Sequence, residues 1–444
     1  MVKLKTYVTL LATCVACLWC QSCLSAQYPA ITISGQQIVN GNSITYWLST
    51  SDNTSITDKD ATNENYNLMY NGIDNTLYLR DFELQNCTSN SVIEIDSPND
   101  INLVITGTNS IIAQGNQKGI SIINHLCSCK FSGNGTLSIT TENGIGIYSY
   151  SGSSWQANNN TDVLDITDTT INVISQKGLA VSVNGITVRG TGKLICQGAY
   201  TAIHSVNSGI HVTDNGFLKG TATATNTDEF IISDRIAGIY VNDSNGNDII
   251  ADKNGIIIGS GKISNGIRTW HGGIIVKDNA LILGASDEGI AINTFGNTYR
   301  VEGNGTLKAF SLQNYGISTL NSYIVSGGQV LICGGKAAID TSFNKNTLRA
   351  SGNYNYTSTI STEYSGLDPF ISFDIIPYTS KSKYILIEPY SPIPVPTPLP
   401  PCTSTNHDTI DSLPQTGDTS HLLLWLMLLT FAGLSLLTLK HKAA

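Results

Sequence analysis

Through the middle of the chain, apolar and polar residues alternate in runs of three to five, separated by Gly, Asn, Asp and Ser. Such alternation sends successive side chains to opposite faces and predicts short, half-buried strands joined by turns. Between 27 and 390 no apolar stripe recurs at the roughly 3.6-residue spacing of a helix, so none is predicted there. One element keeps returning: Gly or Ala, then Ile or Leu, then an alternating run. It occurs at Gly119-Ile, Gly144-Ile, Gly178-Leu, Gly209-Ile, Gly238-Ile, Gly266-Ile, Gly289-Ile, Gly316-Ile and Ala338-Ile, a mean step of about 27 residues. A second element precedes or follows many of these: Gly133-Asn-Gly-Thr-Leu, Gly190-Thr-Gly-Lys-Leu, Asp214-Asn-Gly-Phe-Leu and Gly303-Asn-Gly-Thr-Leu.

A period in the twenties with about three short strands per repeat predicts an all-β fold, a right-handed parallel β-helix. One coil cannot bury its inward residues alone, but stacked coils share a continuous core at about 4.8 Å per step, and about ten would reach roughly 50 Å. A series of β-sandwiches is the alternative; sandwich strands are longer and would not repeat one motif so closely. The β-helix is placed at 101–350. Residues 27–100, with longer strands such as Asn75-Thr-Leu-Tyr-Leu-Arg-Asp-Phe-Glu-Leu, read as an N-terminal cap and first strands. Residues 351–390, aromatic-rich and ending near Lys383-Tyr-Ile-Leu-Ile-Glu388, read as a C-terminal cap. Caps hide the open ends of the stack from edge pairing.

The two ends carry other signals. Residues 1–26 read as a signal peptide: Lys3 and Lys5, an apolar run from Tyr7 to Trp19, then Ser25-Ala26 for cleavage. Cys14, Cys17, Cys20 and Cys23 raise a lipoprotein alternative, but none follows a Leu-small-small approach. At the other end stands Leu413-Pro414-Gln415-Thr416-Gly417, followed in 418–444 by an uncharged apolar run from His421 to Leu439 and by Lys440 and Lys442. At about 1.5 Å per residue that run spans roughly 27 Å, near a bilayer core's thickness, and the lysines would hold the tail on the cytoplasmic side. The arrangement resembles the sorting signal of Gram-positive surface proteins. The resemblance implies that a sortase cysteine attacks the Thr416 carbonyl, that Gly417 leaves, and that a peptidoglycan amine takes the acyl group. The protein is thus expected to be secreted, held briefly in the membrane, then fixed to the cell wall. Proline at nearly alternate positions from Ser391 to Pro401 makes 391–412 an extended stalk, roughly 30 Å for the proline run itself.

Composition narrows the partners. The 444 residues carry a formal net charge of -9, and 13% are charged. Nucleic-acid binding needs a clustered Lys/Arg surface and is excluded on that ground. A hydrophobic share of 41% supports a packed core rather than disorder. Cys87, Cys127, Cys129, Cys196, Cys333 and Cys402 are too sparse for a disulfide scaffold. Cys127 and Cys129 would share a strand face with His125, yet buried core filling is the better account. Leu194-Ile-Cys196 and Leu331-Ile-Cys333 support this, the triplet recurring at related positions in two coils.

The body resembles a family of glycine-rich β-helical surface proteins of gut and oral Firmicutes. The residues that carry this are Asn65-Tyr-Asn-Leu68, Asn75-Thr-Leu-Tyr-Leu, Asn102-Leu-Val-Ile-Thr-Gly-Thr-Asn-Ser110 and Gly133-Asn-Gly-Thr-Leu-Ser-Ile139. Some relatives are labelled carbohydrate-binding, which implies a glycan as ligand. Pectin-degrading enzymes also use β-helices and need paired carboxylates, or calcium-binding acids with a basic residue. Asp243, Asp248, Asp252, Asp234-Arg235 and Asp287-Glu288 read instead as turn and surface charges, so no catalytic residue, metal site or cofactor is expected. The candidate ligand residues are Arg268, Trp270 and His271, with Trp155 as a second possibility. An aromatic ring between glycines can stack on a sugar while Arg and His bond its hydroxyls. The sequence therefore predicts a sortase-anchored, non-catalytic adhesin or glycan-binding rod. A polysaccharide-degrading enzyme and a passive coat or spacer are the alternatives.

Overall fold

The computed structural model describes residues 29–389 apart from 40, 86, 124–127, 150–162, 226–235, 243–247, 296–298, 320–322, 341–347, 351–353 and 360–381. These lie within one unit, Met1–Ser391; the second unit, Pro392–Ala444, lies outside the described residues. So do the expected signal peptide at 1–26, the expected stalk at 391–412, the pentapeptide at 413–417, the apolar tail, Trp155, Asp234-Arg235, Asp243, His125, Cys127 and Cys402. No helix among the described residues is long and apolar enough to cross a membrane.

Short strands follow one another around three faces, and each pairs in parallel with the strand one turn later. The first face runs from Thr76–Arg80 and Ile101–Thr106 to Leu348–Ala350. The second runs from Glu83–Gln85 and Thr108–Ala113 onward. The third runs from Ser91–Asp96 to Ala337–Ile339, ten parallel strands among the described residues. This is a β-solenoid. Tyr299–Ser311 and Tyr323–Gly334 pass through the first-to-second corner as single strands, joining those faces into one 24-stranded sheet. Antiparallel strands flank the ladders. Ala30–Ile33 pairs with Ser91–Asp96, and Leu68–Asn71 lies between Ile44–Ser49 and Thr76–Arg80. At the far end Tyr384–Pro389 pairs with Tyr323–Gly334 and with Tyr354–Thr359.

On the second face most register partners keep nearly the same separation, as in Thr108 with Thr136, Lys193 with Phe217 and Leu281 with Thr306. Two steps are longer, from Thr136 to Thr170 and from Phe217 to Ile256. The excess falls at corners, in 150–162 for the first and in 226–235 and 243–247 for the second. The strands themselves keep their lengths.

Inward rows explain why the turns stack. On the third face Ile93, Ile120, Ile147, Val181, Ile203, Ile239, Ile267, Ile292, Ile317 and Ile339 lie in register, each no more than 1% exposed. Removing such a side chain from water contributes about 2 kcal/mol, an upper figure given residual burial in the unfolded chain. The residue just before this row is Gly or Ala in every turn from Gly119 to Ala338, because the second face approaches closely there. A Cβ on Gly119, Gly146 or Gly316 would strike a methyl of Ile139, Val173 or Ile332.

The recurring glycine motif is thus real but its phase differs from the sequence reading in four places. Gly146, Ala180 and Ala291 occupy the small position, two residues beyond Gly144, Gly178 and Gly289. A two-residue slip leaves inside and outside unchanged, so alternation alone cannot reveal it. Gly144 and Gly289 lie in the corner before the strand, where their carbonyls accept hydroxyl bonds from buried Ser175 and Ser311, both 2.8 Å. Gly209 precedes a first-face strand, Ile210–Val212; the third-face strand of the turn before it is Thr201–Ser205. The two cysteine triplets are also not equivalent. Cys196 shares its inward row with Ile332, whereas Cys333 aligns with outward Phe310. That one-residue offset reverses the face: Cys196 is buried and Cys333 only half-buried. Burial alone pushes the Cys196 thiol well up, which keeps it unreactive.

The passage from first to second face has one recurring feature. Asp81, Gly107, Gly133, Asp168, Gly190, Asp214, Lys253, Asp278 and Gly303 all have positive φ, one per turn. A positive φ turns the chain sharply between strands, and eight of the nine positions carry Gly or Asp, which tolerate it best. The second sequence element, from Gly133-Asn-Gly to Gly303-Asn-Gly, is this corner.

A candidate ligand surface at the Trp270 corner

Arg268, Trp270 and His271 lie where the third face passes to the first. The strand Asn265–Thr269 alternates, so Ile267 and Thr269 point inward and Arg268 outward, between Tyr240 and Asn293 of the adjacent turns. Ladder bonding continues past the strand: the Trp270 N–H donates to the Val241 carbonyl at 2.9 Å, and the Phe295 N–H to the Thr269 carbonyl at 3.1 Å. The turn is closed by the Thr269 hydroxyl on the Gly272 carbonyl, 2.6 Å. The Asp248 carboxylate accepts the Gly273 N–H, so one of the acidic candidates fixes the end of this turn.

These constraints hold Trp270 and Phe295 side by side, ring centroids 5.1 Å apart at 40°, with His271 edge-on to Trp270 at 6.1 Å. Trp270 is 37% exposed, His271 is exposed and Phe295 half-buried. Arg268 is only 6% exposed, with its guanidinium carbon 5.1 Å from the Phe295 ring, 5.5 Å from Trp270 and 5.9 Å from Tyr240. Placed so, it stacks on rings rather than presenting its fork to a sugar, the role expected for it from sequence. Cation–π contact of this kind, desolvated, contributes about 1–2 kcal/mol. Tyr240 in turn stacks on His204 at 5.1 Å and 13°. The outward row of the third face from Ser182 through Tyr240 and Arg268 to Ser318 is largely buried, so the accessible part of the site is the corner itself.

Sequence reasoning does not single out Phe295. The signal was present: it follows Trp270 by the same step that separates Ile267 from Ile292.

Carboxylates gather elsewhere, along the first-to-second corner. Asp214 pairs with Lys253 at 2.5 Å; Asp252 accepts from His211 at 3.0 Å and faces Lys277 at 3.6 Å; Asp278 accepts the Lys253 N–H at 3.2 Å. The hydrogen bond from Lys253 holds the Asp214 carboxyl below its ordinary range. Burial pushes Asp252 up, but bonds from Thr213 and His211, with the charges of His211 and Lys277, outweigh it and hold it below. A glycosidase general acid needs the opposite, a carboxyl held above its ordinary value. Asp287 and Glu288 are exposed turn residues. Among the described residues no group of three or more His, Cys, Asp or Glu is arranged to hold a metal ion.

Fold and corner together define the class as a parallel β-solenoid with an aromatic strip at one edge. No protein family, no curated protein sequence and no solved structure matches the chain.

Proposed function

We propose that the chain is a sortase-anchored cell-wall surface protein whose solenoid is a non-catalytic glycan-binding module. The observation that carries the binding reading is the Trp270–Phe295 pair, two accessible rings fixed by ladder hydrogen bonds and backed by Arg268. Adjacent rings suit the apolar faces of a sugar polymer, and His271 supplies a polar neighbour. Anchoring is supported by the ordered C-terminal signals: Leu413 to Gly417, then the apolar run, then Lys440 and Lys442. In this reading the winding is right-handed, as parallel crossovers almost always are. The antiparallel strands at each end act as caps, 391–412 is the stalk, and 418–444 is a transient membrane helix. Trp155, in 150–162, is a further candidate contact. Partners are the sortase, peptidoglycan bound through Thr416, and an extracellular glycan.

The Asp214–Asp252–Asp278 cluster is what favours the enzyme alternative. It weighs less, because each carboxylate there already has a cation or an N–H partner.

Two measurements test the proposal. Thr416→Ala should move the protein from detergent-resistant wall fragments to membrane or medium; unchanged wall attachment defeats the anchoring half. Trp270→Ala should weaken capture of glycan-coated particles by about tenfold through lost multivalency, and free oligosaccharide less. Unchanged capture removes the site, and release of new reducing ends or unsaturated sugars removes the non-catalytic reading.

A further inference from the structure

The antiparallel sheet that precedes the solenoid presents a second aromatic surface. Trp47, Leu68, Tyr70, Leu77 and Leu79 fill its inner side. On its outer side Tyr46, Met69, Tyr78 and Val104 stand directly opposite one another on four successive strands. Tyr46 and Tyr78 are two strand spacings apart, about 10 Å, enough for two linked sugar rings to lie along the row. Tyr66 extends it, with its ring 5.9 Å from that of Tyr46. Arg80 lies over Tyr66 at 4.0 Å, its Nε donating to the Tyr66 carbonyl at 3.0 Å and one terminal nitrogen to the Glu64 carbonyl at 2.8 Å. The guanidinium is therefore held in place by backbone, not left to wave.

Several polar groups of this row have no protein partner among the described residues. The hydroxyls of Tyr46, Tyr66 and Tyr78 and the other terminal nitrogen of Arg80 bond no protein group among the described residues, and all four residues are half-exposed. A flat row of rings edged by free hydroxyls and a fixed donor matches a polyol that offers an apolar face and a rim of hydroxyls. Charge decides between neutral and acidic sugars. Arg80 is bonded to the Glu64 main chain and is followed by Asp81, and the Asp74 charge acts on Tyr78, so three acidic residues border the one cation. That field repels a carboxylated polymer.

We infer that Tyr46, Tyr66, Met69, Tyr78 and Arg80 form a second glycan platform, selective for neutral pyranose polymers and separate from the Trp270 corner. The platform does not depend on Trp270, and the test keeps them apart. Full-length chain carrying Trp270→Ala is incubated with particles of cellulose, xylan and mannan, and with pectate and alginate gels as acidic counterparts. Retention on at least one neutral particle is expected, with at least tenfold less on the acidic gels. Adding Tyr46→Ala and Tyr78→Ala should lower the neutral retention about tenfold, and Tyr46→Phe with Tyr78→Phe, which keeps the rings, should leave it within about threefold. Loss in the alanine protein with recovery in the phenylalanine protein excludes misfolding as the cause. No retention on any neutral particle, preference for the acidic gels, or equal retention by the alanine protein each overturns the platform. If chain with Trp270 intact binds equally with and without Tyr46→Ala and Tyr78→Ala, while the Trp270→Ala chain is retained on no neutral particle, the platform is overturned and the corner site stands alone.

Discussion

Two corners of the solenoid join strands of the same ladders, yet they behave as opposites. The first-to-second corner places a residue of positive φ in nine successive turns, Asp81 to Gly303. Its side chains bond from turn to turn: Asn254 to Asn215 at 3.1 Å, Asn279 to Asn254 at 3.4 Å, Asn304 to Asn279 at 3.1 Å, beside the ion pairs of Lys253 and Asp252. The third-to-first corner varies in length, from the single residue Asn184 between Val181–Val183 and Gly185–Arg189 to the whole of 150–162. Trp270 and Phe295 sit on that variable side. A corner committed to side-chain bonds that repeat turn after turn resists change, whereas one that already differs in length between turns can accept insertions and binding residues.

The sharpest way to break this comparison is at Gly133, where φ is +112 and a Cβ would overlap the Ile105 carbonyl oxygen. Both the backbone conformation and the clash with rigid main chain oppose any side chain there. Gly133→Ala should destabilise the solenoid by about 3 kcal/mol or more, read as a fall in the urea midpoint. A loss below about 1 kcal/mol would show that the committed corner is softer than its uniformity suggests.

A smaller effect follows from the charges on the same corner. Asp252 has its carboxyl held below the ordinary value in the folded protein, so its contribution to stability is present above the unfolded value of about 4. It is lost as the pH falls through the lower folded value, because the unfolded chain takes up the proton first. Asp252→Asn should therefore lower stability at pH 7 and flatten the dependence between about pH 5 and pH 2. Denaturant midpoints at four pH values across that range measure it; parallel curves for parent and variant would mean the His211–Asp252–Lys277 cluster contributes nothing.

How much of this was legible in the sequence depends on what each feature repeats. Gly133-Asn-Gly and Gly303-Asn-Gly mark the committed corner because a positive φ restricts residue choice strongly enough to be read. Alternation marks strands but not a two-residue slip along them, so Gly144 stands in for Gly146; the two registers differ only in contacts across the core. Cys333 matches Cys196 in its repeated triplet alone; its one-residue offset puts it on the other face. Trp270 was visible as an isolated aromatic among glycines. The burial of Arg268 was not, because it depends on Tyr240 and Phe295 arriving from the turns on either side. Tyr46 and Tyr78 became neighbours only through antiparallel pairing with Met69, which no periodicity announces.

The smallest expected effect is the most discriminating. A Gly-Ser pair inserted within 150–162 lengthens a connection that is already longer than its counterparts in other turns. Loop-closure entropy grows only with the logarithm of length, so so small an extension costs on the order of 0.1–0.2 kcal/mol. No strand needs to move, since Ile147–Ser149 and Val163–Thr167 are each held by partners in the adjoining turns. The same pair inserted after Gly133 meets a corner with no slack. It would have to pull Thr136 out of line with Thr108 and Thr170, or leave the inserted backbone without ladder partners. The first insertion should leave the urea midpoint within error of the parent, and the second should lower it at least as far as Gly133→Ala does. Equal losses from the two insertions would mean that the corners do not differ in kind, and that length variation at 150–162 reflects sequence history rather than mechanical freedom.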